Sequence, residues 1–180
     1  MNNPFDCALT GVEPSMPEIA SRIAISQVLM RYARGIDRGD RDLIKSVYHE
    51  GGTDDHGSFV GSGTDFADFI VDAMNAVGGT GQHHISNVLI EFQDENSAFV
   101  ESYYLAMHPY PNANGQIELA FVGGRYLDRF SRRNGRWAID ARKVTFDWTR
   151  ESVPGPEWTR AADFTGGTRD ETDASWQWFS

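Results

Sequence analysis

The side chains able to carry chemistry in this 180-residue chain are few and scattered. Asp37 sits near the end of a helical segment, on the border of its apolar face beside Ala33 and Met30. A carboxylate there faces the negative end of the helix macrodipole, at a cost of roughly 0.3–1 kcal/mol. Helix stability therefore does not account for it. Its plain reading is a surface acid paired with Arg34 or Arg41; its chemical reading is an acceptor that orients a base. His83 and His84 open a strand-like segment, where neighbouring side chains point to opposite faces. The two cannot serve one centre. Alternation groups His83 with Ile85, Asn87 and Leu89, and His84 with Ser86, Val88 and Ile90. A structural histidine satisfied by backbone is the default for whichever faces inward. Arg142 shares a strand face with Val144, Phe146 and Trp148. It is either a rim arginine whose stem covers apolar surface or a holder of an anion.

Other patterns carry less. Thr53-Asp54-Asp55-His56-Gly57 offers three metal-ligating side chains but neither the alternating acids of a calcium loop nor the spaced histidines of a zinc helix. A solvated turn is expected there, and no metal site. Gly61-Ser62-Gly63 has no lysine after it, which argues against a phosphate loop. No serine sits in a Gly-x-Ser-x-Gly elbow. The single cysteine, Cys7, excludes an internal disulfide framework and fits a reducing cytoplasm. Lys plus Arg is 16 and Asp plus Glu is 26, a net charge of −10, which argues against nucleic acid or an anionic membrane as a partner. No apolar run approaches the ~20 residues that span a bilayer, and Met1–Thr10 lacks the pattern of a signal peptide. A soluble, cytoplasmic, single-domain protein is the expectation.

The elements that must position these residues follow from periodicity. Residues 1–14 have no period and read as a loose arm. Ser15 and Glu18 have capping-box spacing, with Pro17 tolerated in a first turn. Ile25, Leu29, Tyr32 and Ile36 then recur on one helix face, opposite Gln27, Arg31, Arg34 and Arg38. A short helix through Leu43, Ile44 and Val47 follows. Residues 50–63 are turn-rich, with one short strand around Ser58–Val60. Phe66, Phe69, Ile70, Ala73, Met74 and Val77 define the apolar face of a third helix, stopped by Gly78-Gly79. After Gly81 the period becomes two: strands are expected over 82–92, 98–108, 117–132 and 136–149. Asn134-Gly135 is a strong hairpin signal, and Pro111 marks a strand end. Three helices before a four-strand antiparallel meander make an α+β domain over 15–149, with helices covering one face of a curved sheet. Residues 150–180 form an aromatic tail bearing Trp158, Phe164, Trp176, Trp178 and Phe179, expected to dock on the domain or on a neighbouring subunit.

The helix ending Tyr32-Ala-Arg-Gly-Ile-Asp37, the strand His83-His-Ile-Ser-Asn87 running into Ile90-Glu91, and the block 123–148 occur in an order that resembles the SnoaL-like branch of the nuclear-transport-factor-2-like superfamily. The resemblance spans about residues 16–149. It implies a cone-shaped α+β barrel: three N-terminal helices packed on a strongly curved antiparallel sheet around a deep apolar pocket. Within that superfamily the chain is similar to scytalone dehydratase, hexachlorocyclohexane dehydrochlorinase and bile-acid 7α-dehydratase, which share an Asp–His pair inside the cone. By position, Asp37 corresponds to the aspartate and His83 to the histidine. Tyr32 matches a tyrosine of the bile-acid enzyme, and Arg142 resembles a late-strand arginine of the dehydrochlorinase. The resemblance also implies a homo-oligomer, a trimer or dimer.

Such a pair can act without a cofactor. A carboxylate that accepts one imidazole N–H fixes the tautomer and leaves the other nitrogen as a base suited to neutral pH. That base removes a proton beside an electron-withdrawing group while Tyr32 donates to the departing oxygen or to a carbonyl. The outcome is a dehydratase-like 1,2-elimination or an isomerisation. Asn87, Met74, Phe99, Phe121 and Trp148 are expected to line the pocket, implying a small hydrophobic substrate of polycyclic or aromatic origin. Fold alone does not select a function. A non-catalytic small-molecule carrier, a monooxygenase or hydrolase on the same cone, and the structural small subunit of a ring-hydroxylating dioxygenase are the alternatives.

Overall fold

The structure, a computed structural model, describes residues 13–152 and 161–178. Helix α1 (Met16–Arg38) begins where the Ser15 hydroxyl accepts from the Glu18 N–H, and ends at Gly39 in the left-handed region (φ 67°). Its face of Ile25, Leu29, Tyr32 and Ile36 is buried in the core, as the periodicity requires. Asp40 caps α2 (Arg41–Ser46), accepting from the Leu43 N–H at 2.9 Å. Strands β1 (Tyr48–Asp55) and β2 (Val60–Ser62) form a short hairpin. Ser62 then caps α3 (Gly63–Val77), accepting from the Asp65 N–H at 3.0 Å. The buried face of α3 is rotated from the expected one. Phe66, Ala67 and Val71 face the core, whereas Phe69 is exposed and stacks on Phe59 with ring centroids 5.1 Å apart.

The meander is β3 (Gln82–Asp94), β4 (Ser97–Pro111), β5 (Ile117–Arg133) and β6 (Arg136–Ser152). Pro111 closes β4, and Asn134-Gly135 joins β5 to β6 with both φ positive, 51° and 77°, as a tight hairpin turn demands. The sheet order is β2-β1-β6-β5-β4-β3. Thus the four antiparallel strands are joined by two more from residues 48–62, and β1 pairs parallel with β6. Helices pack on one face of this curved, unclosed six-stranded sheet, the α+β cone. Pairing also shifts between Tyr48 and Thr53 and between Phe92 and Asp94, but the bulges that shape the site lie between Ser86 and Leu89 in β3 and at Asp140 and Asp147 in β6. Each extra residue reverses the alternation beyond it and sharpens the bend.

Of the expected N-terminal arm, all but the last two residues lie outside the described residues, as do Trp158 and Phe179. In the described part of the tail, a 3₁₀ turn (Ala161–Asp163) precedes a short helix α4 (Ala174–Trp178). Arg169 Nη1 donates to the Ile36 carbonyl at 2.7 Å, and both Arg34 Nη groups donate to Ser175 Oγ at 3.1 Å. The polar side of α1 is therefore only partly wet.

Candidate active site

Asp37 and His83 are brought together by the end of α1 and the start of β3. Asp37 Oδ1 lies 2.7 Å from His83 Nδ1, and Oδ2 accepts the backbone N–H of His83 at 3.0 Å. A carboxylate cannot donate, so Nδ1 carries the proton and Nε2 the lone pair. Both side chains are shielded, with 14% and 11% of their surfaces exposed. The plain alternatives for Asp37 are not realised: Arg41 bonds Asp68 and Asp72 instead, and Arg34 bonds Ser175. Arg169 supplies what helix stability lacked. Its guanidinium donates to the Ile36 and Asp37 carbonyls at 2.7 and 3.4 Å, covering the electronegative end of α1. No sequence pattern pointed to it, because the contact spans more than 130 residues.

His83 lines a cavity of about 290 Å³, the lower end of the range for ligand sites. Tyr32, Met74, Tyr104, His108 and Tyr126 line it too, with Val122 and Val144 as apolar wall. Burial, with Tyr126 and Tyr48 beside it, raises the Tyr32 phenol well above its ordinary value, so it is a donor and not a base. Burial, with His83 nearby, lowers the His108 imidazole below its usual 6.5. His108 and Tyr104 were not anticipated. Their only sequence signal is alternation on β4, which places Tyr104, Ala106 and His108 on one face.

Arg142 is not at the rim and does not hold an anion of solvent origin. It is 2% exposed, and its Nε and Nη2 donate to the two oxygens of buried Asp128 at 2.7 Å each. Its guanidinium lies 4.1 Å from the ring centroids of both Tyr32 and Tyr126. Burial opposes the charge, but the Asp128 carboxylate outweighs it and raises the Arg142 pKa. The arginine is a buried support beneath Tyr32, a correction to its expected place among the reacting groups.

Four of the expected lining residues also lie elsewhere. Phe99 pairs with Arg129 on the opposite face from buried Val100 and Asp128; it is 45% exposed and faces an open depression with Leu89 and Lys143. Phe121 alternates away from Val122, which does line the cavity. The bulge at Asp147 pairs Phe146 with Gly124 but Trp148 with Gly123, sending Phe146 to the cavity and Trp148 to the outer face. Asn87 sits in the β3 bulge with φ 47°, exposed, and beyond it Val88, Ile90 and Phe92 replace Asn87 and Leu89 as the inward residues. His84 is exposed on the face opposite His83, with Nε2 3.4 Å from Gln82 Oε1.

The Thr53–Gly57 segment is no solvated turn. Asp54, 1% exposed, accepts the Tyr48 hydroxyl on Oδ2 and pairs through Oδ1 with His56 Nδ1 at 2.7 Å. His56 stacks on Phe66 and lines the cavity. Among the described residues no group of three or more His, Cys, Asp or Glu side chains is placed to hold a metal ion. Nor is any described helix long and apolar enough to cross a membrane.

Comparison with known proteins agrees with this architecture. The profile of the SnoaL-like domain matches residues 17–143. No curated protein sequence matches the chain. Among solved structures it is similar to a candidate scytalone dehydratase from Novosphingobium aromaticivorans, with 21% identity and a TM-score of 0.67 over 77% of this chain and 92% of that one. It is also similar to the hexachlorocyclohexane dehydrochlorinase LinA-type3 from Novosphingobium barchaimii, with 16% identity and a TM-score of 0.69 over 79% of this chain and 99% of that one. A candidate aromatic ring hydroxylase from Novosphingobium aromaticivorans aligns at 20% identity and a TM-score of 0.64, over 74% and 94% of the two chains. At these identities the likeness is one of fold.

Proposed function

The chain belongs to the SnoaL-like domain family, and from that premise and the chemistry of its cavity we propose that it is a cofactor-free lyase or isomerase acting on a small hydrophobic substrate. The observation that carries the reading is the Asp37–His83 hydrogen bond at the wall of a cavity lined mostly by apolar and aromatic side chains. Asp37 fixes the Nδ1–H tautomer, so His83 Nε2 takes a proton from a carbon next to an electron-withdrawing group. The freed electron pair forms the new double bond as the β-substituent departs. For a hydroxyl leaving group, the Tyr32 O–H supplies the proton that lets it leave as water. Asp37 stabilises the imidazolium in the interval, and that proton returns through solvent to restore both groups. General acid–base action of this type supplies roughly 10²–10⁴ in rate, with positioning and exclusion of water adding the rest. Hydride or radical chemistry is not called for, since acid and base are both side chains.

The names of two structural neighbours, a candidate scytalone dehydratase and a dehydrochlorinase, support elimination as the reaction class. The volume of about 290 Å³ favours substrates of one or two rings over larger polycycles. The test is an elimination assay with scytalone, hexachlorocyclohexane and monocyclic or bicyclic β-hydroxy ketones, run before and after exhaustive chelation. Turnover that survives chelation is expected. A folded protein that turns over none of them, yet co-purifies with a bound small molecule, would make the pocket a carrier's.

A further inference from the structure

The cavity holds a second carboxylate-oriented imidazole. His56 Nδ1 lies 2.7 Å from Asp54 Oδ1, the same distance that joins His83 to Asp37. The Asp54 side chain has no exposed surface, and its other oxygen is occupied by the Tyr48 O–H. A carboxylate so held is an acceptor only, so His56 also carries its proton on Nδ1 and leaves Nε2 as the nitrogen open to a ligand. The ring is fixed in plane by Phe66, with centroids 4.3 Å apart and planes 20° from parallel. It remains accessible: 24% of the side chain is exposed, and it lines the same cavity as His83.

The two pairs come from opposite ends of the sheet. His56 follows β1 and His83 opens β3, with β6, β5 and β4 lying between those strands. Four strand spacings of about 4.8 Å separate them along the sheet, and only its curvature lets both reach one cavity of about 290 Å³. Any ligand in that cavity therefore has both imidazoles in its lining.

We propose that His56, oriented by Asp54, is a second acid–base residue of this cavity, handling a proton on the substrate face opposite His83. This rests on the acid–base reading above and extends it. With two bases on two walls, the proton that His83 removes from carbon need not be the one returned. His56 in its imidazolium form gives a proton to the far side, and His83 keeps the one it took until solvent removes it. The net change is a proton shift or an epimerisation with no redox step. In an anti elimination, a group departing on the side of His56 takes the proton of that imidazolium, whereas one departing beside Tyr32 takes the phenol proton as above.

The probe is 2-tetralone, a two-ring ketone with an acidic benzylic CH2, incubated in D2O with wild type, His56→Gln and His83→Gln. Deuterium at each prochiral position is read by NMR in a chiral environment, and folding is checked by circular dichroism. Wild type is expected to exchange both positions. His56→Gln should slow one of them by roughly 10²-fold or more while the other stays within about threefold, and His83→Gln should do the reverse. Should wild type exchange only one position, at a rate that His56→Gln retains, His56 is structural and the acid–base reading of His83 survives. Absence of exchange by folded wild type overturns both. A measurement that needs no variant accompanies these: in 15N-histidine-labelled wild type, 2-tetralone should shift the Nε2 resonances of His56 and His83 with one common midpoint. A shift confined to His83 overturns the proposal.

Discussion

At the scale of single residues, the cavity separates groups that move protons from groups that hold them in place. Asp37 touches His83 through two hydrogen bonds, so Asp37→Asn keeps the shape but loses the charge that stabilises an imidazolium. Its turnover on a substrate found by the elimination assay should fall by roughly 10²–10⁴, with KM changed far less. His83→Ala should cost at least as much. Tyr32→Phe retains the stack on Phe66 and the edge contact with Tyr126, and a loss nearer tenfold would mark its hydroxyl as a donor. Wild-type kinetics in both Asp37→Asn and His83→Ala would remove catalysis from this pair. Arg142 obeys a different logic. Its contacts are Asp128 and two tyrosine rings, all inside the protein. Arg142→Met leaves the Asp128 carboxylate buried and unpaired, a loss of about 3–5 kcal/mol by urea denaturation. Adding Asp128→Leu should recover much of it. Unchanged stability in Arg142→Met alone would contradict the buried pair as drawn.

At the scale of elements, what was legible in the sequence and what was not divide along one physical line. Caps and turns are local. Ser15 and Asn134-Gly135 fix their helix start and hairpin by contacts within four residues, so the sequence shows them directly, whereas the caps at Asp40 and Ser62 are equally local but were not anticipated. Bulges depend on pairing across strands. A single extra residue in β3 and in β6 reverses which faces Asn87, Leu89 and Trp148 occupy, and period-two reading has no means to detect it. Asp54 was hidden for a related reason. A run of Thr, Asp, Asp and His reads as a turn until Tyr48 and the parallel partner β6 surround it. The Asp37–His83 pair was legible only through the ordered resemblance, since 46 residues separate the two. Asn87 tests the β3 bulge directly. With φ at 47°, Asn87→Gly should be tolerated, whereas Asn87→Val should cost about 1–2 kcal/mol because a branched side chain resists the left-handed region. Equal melting temperatures for the two variants would argue for a regular strand there. Gly39 offers a parallel case at the end of α1. A Cβ at that position would lie 2.7 Å from the Arg169 carbonyl oxygen and at φ +67°, so Gly39→Ala should destabilise and loosen the tail's hold on the helix end. Faster proteolysis within residues 161–178 is the expected readout.

At the scale of the whole molecule, two properties follow from how the cone places its surface and its charge. Leu89, Phe99, Tyr103 and Trp148 are exposed although large and apolar, and Phe99 and Trp148 come from the outer face of the sheet. Apolar surface of this kind is seldom left to water, which supports the homo-oligomer, trimer or dimer, proposed from the family resemblance. Light scattering at micromolar concentration should report more than one chain per particle; a monomer would count against it. The second property is acid sensitivity. His108 sits in the cavity wall where burial, with His83 nearby, lowers its pKa below 6.5. Protonating it is therefore harder in the folded chain than in the unfolded one. Where the unfolded state binds the extra proton and the native state does not, stability rises with pH. The contribution is fully present above the unfolded value of about 6.5. It is lost as pH falls through that value toward the lower folded one, and acidification drives an unfavourable charge into the cavity. Other groups titrate over the same range, so the informative quantity is the difference in melting temperature between wild type and His108→Asn. That difference should favour wild type least at pH 5 and most at pH 8. A flat difference would mean His108 titrates as an exposed imidazole, and one that favours wild type more strongly in acid would mean its folded pKa is raised; either contradicts its place in the cavity wall.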